Sequence, residues 1–218
     1  MASIDGLYCI DRYEASLVEV LDDGREVAWS PFESVEGRRV RAVSRSNVTP
    51  QGYISGKEAA RACAASGKRL CKSREWLKAC MGPEKKKYGY SDNNEPRRCN
   101  DYGRSPLGAY LRAGGKLTGD SLWTWGTMNE PALNQFDRTL APTGSHRECT
   151  NGYGVYDMVG NLHEWVDEAR GMFRGGYYQD THINGDGCSY RTKAHPTTYH
   201  DYSTGFRCCS DADDVVSR

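Results

Sequence analysis

Nine cysteines spread over 218 residues, with no Cys-x-x-Cys pair among them, constrain this chain more than any other feature. They are Cys9, Cys63, Cys71, Cys80, Cys99, Cys149, Cys188, Cys208 and Cys209. No Cys/His grouping has zinc-finger spacing, so the thiols give no sign of a structural zinc site. In an oxidising compartment they amount to four disulfides and one thiol left over. In a reducing one they are buried free thiols, because cysteine packs well in cores. The remaining composition favours cross-links. The 24 Gly and 14 Tyr run through the whole chain while aliphatic runs stay short, so the core buries little aliphatic surface and leans on staples or ions.

Lys+Arg and Asp+Glu both number 29, and a formal net charge of zero gives no reason to expect nucleic acid or an anionic membrane as partner. No apolar run nears the roughly 20 residues of a membrane helix. The opening MASIDGLYCIDRYEAS has no basic segment followed by an apolar one. The expectation is an extracytoplasmic protein (periplasmic, secreted or lipid-anchored) whose leader precedes this chain, alone or within a larger lipoprotein or secreted protein.

Local signals predict a single domain over 1–218 with two helices, short antiparallel strands and long loops, an α+β chain. Residues 7–20 alternate as an opening strand. In SGKEAARACAAS, Ser55 and Glu58 have capping-box spacing and Gly67 marks a stop. SREWLKAC predicts a second helix, with Ser73 as its cap and Gly82 beyond its end. From Gly82 to Cys149 the chain is polar and too long for a free loop, with SLWTWG (Ser121 to Gly126) as its best apolar anchor. MFRGGYYQD and STGFRCC both look like strands.

The densest stretch is YDMVGNLHEW, with Asp157, Asn161, His163 and Glu164 inside eight positions. By spacing alone it is a metal site, an acid–base pair or a polar loop. The order of segments decides more. CIDRYEAS, GKEAARACAASGKRLCKSREWLKAC, NGYGVYDMVGNLHEWV, FRGGYY and GFRC together resemble the formylglycine-generating enzyme (sulfatase-modifying factor) family, over about Tyr8 to Cys209. The resemblance implies an elaborated C-type-lectin-like fold with little regular secondary structure and bound calcium. It places calcium on the side chains of Asp157 and Glu164 and the carbonyls of Gly160 and Leu162. A second calcium would use Asn100 and Asp101, with distal partners near Asn134 and Phe136. Calcium's taste for several oxygens, carbonyls included, agrees with such loops. His163 stands where the family has an aromatic residue, and either packs its ring or acts as ligand or acid–base group.

The family's name-giving enzyme holds copper on two thiolates, which suits Cu(I). In this chain the corresponding interval, Gly175 to Cys188, has no cysteine before Cys188 itself. The resemblance assigns Cys80–Cys188 and Cys63–Cys208 as disulfides. We expect Cys9–Cys71 and Cys99–Cys149 as well, each joining a loop to the frame, with Cys209 left over.

Two functions follow. The first is a binding module using the loop-rich C-terminal region, with Tyr177, Tyr178, Asp180, His182, His195, Tyr199 and His200 as contacts for a protein or small-molecule ligand. The second is a divergent metal-dependent oxidase or sulfur-chemistry enzyme. It would hold copper or iron through His182, His195 and His200, with His182, Tyr178, Asp180 and His163 as catalytic candidates.

Overall fold

The computed structural model describes residues 1–212, so residues 213–218 of the expected domain lie outside the described residues. α1 (Gly56–Ala64) starts as its sequence predicts. The Glu58 N–H donates to the Ser55 hydroxyl at 3.3 Å, and the Ser55 N–H donates to the Glu58 carboxylate at 3.0 Å. α2 (Ser73–Met81) differs at its first residue. Lys72 takes the cap position and its N–H donates to Glu75 at 2.8 Å. The Ser73 hydroxyl is used elsewhere, accepting from the buried Arg174 at 2.9 Å.

The predicted opening strand is two. β1 (Ala2–Ile4) pairs antiparallel with β2 (Tyr8–Ile10), and after a break the chain enters β3 (Ala15–Val20). The break falls where Asp11 and Glu14 turn inward and are buried. β3 lies between β4 (Glu26–Ala28) and β5 (Val40–Ser44). β6 (Arg69–Leu70) separates the two helices. A further sheet joins β7 (His163–Trp165), β8 (Phe173–Arg174), β9 (Arg191–Thr192) and β10 (Thr204–Phe206) in the order β10-β7-β8-β9. β7 and β10 are parallel; the other pairs are antiparallel. β11 (Cys208–Asp211) completes the sheet β1-β2-β11-β6. Of MFRGGYYQD only Phe173 and Arg174 are strand, because Gly175 and Gly176 take φ of +85° and +71°. A Cβ on Gly176 would collide with the Asp180 carbonyl, so only glycine makes this turn.

Four disulfides tie the loops: Cys63–Cys208, Cys71–Cys209, Cys80–Cys188 and Cys99–Cys149. The expected Cys9–Cys71 bond is not formed, and Cys209, not Cys9, is the partner of Cys71. Strand register explains it. Cys9 stands opposite Ser210, while Cys209 stands opposite Ile10. Side chains alternate across a sheet, so Cys9 faces away from Cys209 and its partner. Tyr8 and Ile10 join the core cluster that holds Cys71 and Cys209; Cys9 does not.

The middle third carries two more helices than expected, α3 (Pro106–Arg112) and the four-residue α4 (Trp125–Met128). SLWTWG anchors it only through Leu122, partly buried against a small core, while Trp123 is 71% exposed and Trp125 53%. Leu107 and Leu133 form that core with Tyr53, Tyr178 and Tyr202. Among the described residues no helix is long and apolar enough to cross a membrane.

Candidate functional site

The residues expected to act together occupy separate surroundings. His163, on β7, is a buried packing ring. Its centroid lies 4.4 Å from Phe173, 4.8 Å from Tyr177 and 5.4 Å from Tyr190. Burial pushes its pKa down to about 3, so the imidazole is neutral at physiological pH and poorly suited to carrying a proton there. Its Nδ1 is buried without a hydrogen-bond partner.

Tyr178 is fully buried and its hydroxyl donates to Asn134 at 3.0 Å. Asp180 organises a loop, accepting from the N–H groups of His182 (2.8 Å) and Ile183 (2.9 Å) and from the Tyr190 hydroxyl (2.9 Å). His182 is exposed, between Asn94 (3.0 Å) and Asp186 (3.1 Å). His195 lies flat on Tyr199, with ring centroids 3.8 Å apart, and the Tyr199 hydroxyl donates to the buried Asp201 at 2.6 Å. His200 is buried and bonded to Asn129 at 2.7 Å, with Trp125 edge-on at 4.5 Å. His182, His195 and His200 are thus not brought together as metal ligands. Among the described residues no three His, Cys, Asp or Glu side chains gather where one ion could be held. His195 and Tyr199, with the half-buried Tyr177 nearby in the same aromatic bed, are what the fold does assemble.

The expected calcium set of Asp157, Gly160, Leu162 and Glu164 meets a different cation. The buried Glu164 takes the Arg207 guanidinium in a two-pronged pair, both bonds 2.7 Å, and the Trp76 indole N–H at 2.6 Å. Arg207 reaches further, to the carbonyls of Asp11 (3.1 Å), Arg12 (3.2 Å) and Tyr156 (2.8 Å). Asp157 accepts from the Gly144 N–H at 2.6 Å, and burial raises its pKa to about 6. This set does not fit calcium, because a fully buried guanidinium already holds the glutamate. Sequence reasoning missed Glu14 and Arg207. Glu14 accepts from the Leu162 N–H at 3.1 Å and the Asn161 amide at 2.5 Å. Burial first, and then the Asp157 and Glu164 charges, raise its pKa well above the carboxylate range. They sit in the motifs CIDRYEAS and GFRC, but nothing local signals that both converge on the loop of residues 156–164.

Asp101 is the opposite case. It is buried, and neither carboxylate oxygen has a hydrogen-bond partner. Burial raises its pKa. The Asn100 amide beside it donates to Thr139 (2.9 Å) and Asn161 (2.8 Å), which leaves its oxygen available. Asn134 is not part of this place, since its side chain is held by Tyr178 and Tyr202. An orphaned buried carboxylate is a donor in want of a cation.

Residues 8–212 match the sulfatase-modifying factor enzyme 1-like domain. The chain belongs to this family. Chaperone protein LppX from Paenibacillus barcinonensis is 35% identical over 106 residues, covering 48% of this chain and 32% of LppX, so the match reaches about a third of that relative's length. PvdO from Pseudomonas aeruginosa superposes with a TM-score of 0.54 at 16% identity, over 94% of this chain and 80% of PvdO. CarF gives 0.50 at 17%, over 75% of this chain and 68% of CarF. These likenesses show the α+β fold. Within this sulfatase-modifying-factor-type domain eight cysteines are in disulfides and Cys9 is buried alone, so no two free thiols converge on one point.

Proposed function

We propose that this domain is an extracytoplasmic ligand-binding module that presents the loop of residues 191–200. The carrying observation is the half-buried His195–Tyr199 stack at 3.8 Å on a fixed base. The Tyr199 hydroxyl is tied to Asp201, the Lys57 N–H donates to the Thr197 carbonyl at 3.0 Å, and Phe173 lies parallel to His195 at 5.8 Å. Rigid aromatic rings with a polar edge give contact area at low entropic cost. Four disulfides favour an oxidising compartment. LppX carries the name of a chaperone, which favours a polypeptide ligand. Panning a random peptide library against the wild type and the double variant His195→Ala/Tyr199→Ala tests this. We expect enrichment that the variant loses; equal enrichment, or none, rejects the reading.

Calcium belongs in the same proposal, at Asp101 with Asn100. The unpartnered carboxylate supports it. Protein purified without chelator should carry about one calcium per chain, absent from Asp101→Ala. Equal calcium in both, or none in either, overturns it.

A further inference from the structure

A second surface adjoins residues 198–200. An open groove of about 860 Å³ runs between the outer face of α1, the Val35–Val40 turn, and Trp125 with His200. Three features make it more than a surface hollow. First, Lys57 and Arg61 stand four residues apart on α1, both exposed, and neither has a carboxylate partner among the described residues. Arg38 and Arg39, on the opposite wall, are paired with Glu19 (3.3 Å) and Asp22 (3.1 Å). The open cationic capacity is therefore concentrated on α1. Second, Trp125 is a fixed platform rather than a loose ring. It packs edge-on to His200 at 4.5 Å and Tyr199 at 5.9 Å. Asn129 ties the corner, its amide donating to the Trp125 carbonyl at 2.9 Å and the His200 carbonyl at 3.2 Å. Third, the groove also carries acid. Glu58, between Lys57 and Arg61 on α1, has its carboxylate engaged by Ser55, and Glu36 is exposed with no cation partner among the described residues.

These features select a ligand class. The edge of β5 beside the groove is covered by α1, whose trailing Ser66 hydroxyl donates to the Ala42 carbonyl at 2.7 Å. An extended peptide therefore finds no free strand edge there to pair with. Glu36 repels a densely charged polyanion yet accepts from hydroxyls. A flat indole face suits the C–H face of a sugar ring, and Lys57 with Arg61 suits one carboxylate. We propose that this groove binds an acidic saccharide of the uronate class, its ring against Trp125 and its carboxylate on Lys57 and Arg61.

The probe is trigalacturonate, titrated into the full chain by calorimetry, with neutral maltotriose and adenosine monophosphate alongside. We expect saturable binding of the uronate alone, weakened at least about tenfold in Trp125→Ala and in Lys57→Ala/Arg61→Ala. All three side chains reach solvent, so unchanged melting temperatures would show that the variants fold. No saturation up to about 10 mM, undiminished affinity in the Lys57/Arg61 variant, or equal binding of the nucleotide overturns the proposal. The peptide selection turns on His195 and Tyr199, whereas this titration turns on Lys57 and Arg61, so either can fail alone.

Discussion

Replacing Arg207 by methionine tests the central claim about how this fold is held. Arg207 and Glu164 are both buried, their side chains 0% and 1% exposed, and joined by two bonds of 2.7 Å. Methionine keeps much of the volume and removes the charge. Glu164 would then be left with only the Trp76 N–H, and the carbonyls of Asp11 and Tyr156 would lose the Arg207 donor, while that of Arg12 keeps the Tyr156 N–H at 2.8 Å. Breaking a buried pair on one side costs about 3–5 kcal/mol. Each abandoned carbonyl adds about 1 kcal/mol, short of full additivity. A domain has about 5–15 kcal/mol in all, so the variant should be marginal. Urea unfolding under non-reducing conditions, read by tryptophan fluorescence, measures the loss. The decisive comparison is Arg207→Met/Glu164→Leu. Removing both charges leaves no orphan, so the double variant should be more stable than Arg207→Met alone. A loss below about 1 kcal/mol in the single variant would refute the reasoning. So would a double variant less stable than the single, or full rescue of Arg207→Met by calcium.

Three further outcomes are expected. Cys9→Ser should leave stability within about 1 kcal/mol, whereas Cys71→Ser, which opens the Cys71–Cys209 bond spanning 138 residues, should cost about 2–4 kcal/mol by thermal unfolding. His163 has a folded-state pKa of about 3 against roughly 6.5 unfolded, so protons favour the unfolded chain between those values. Wild-type stability should be intact above about pH 6.5 and drain on acidification; in His163→Phe about 2 kcal/mol of that loss at pH 5 should disappear, and equal urea midpoint shifts in both proteins would contradict the burial. Gly176→Ala forces a Cβ onto a φ of +71° and against the Asp180 carbonyl, and should cost about 1–3 kcal/mol, where a neutral result would mean the turn is remade.

What the sequence showed and what it hid divide along a physical line. The α1 start was legible because a capping box acts over three residues and both halves are adjacent in the chain. The aromatic role of His163 was open, and its three ring neighbours close it. Cys9 misled because its fate depends on which residue of β11 it faces, and a one-residue register shift turns every side chain over. SLWTWG is only half an anchor because apolar content says nothing of direction: Leu122 packs inward, whereas Trp123 and Trp125 are mostly exposed. The resemblance puts calcium on Asp157 and Glu164 because it carries over the two carboxylates but not the cation that meets Glu164 in this chain. That cation comes from 43 residues along the chain.

The cation's placement ties the site to the cross-links. Arg207 sits between β10 and β11, immediately before Cys208 and Cys209, whose disulfides run to Cys63 in α1 and Cys71 before α2. Both strands flanking the arginine are therefore fixed, one by pairing with β7, which carries Glu164, the other by two covalent bonds. A long cationic side chain gains from a buried pair only when little freedom remains to be lost on forming it. The disulfides remove that freedom in advance, so the ion pair and the cross-links are not independent. Opening Cys63–Cys208 should weaken the Arg207–Glu164 coupling, measured by a double-mutant cycle of Arg207→Met and Glu164→Leu. Unchanged coupling in Cys63→Ser/Cys208→Ser would show that strand pairing alone positions the arginine.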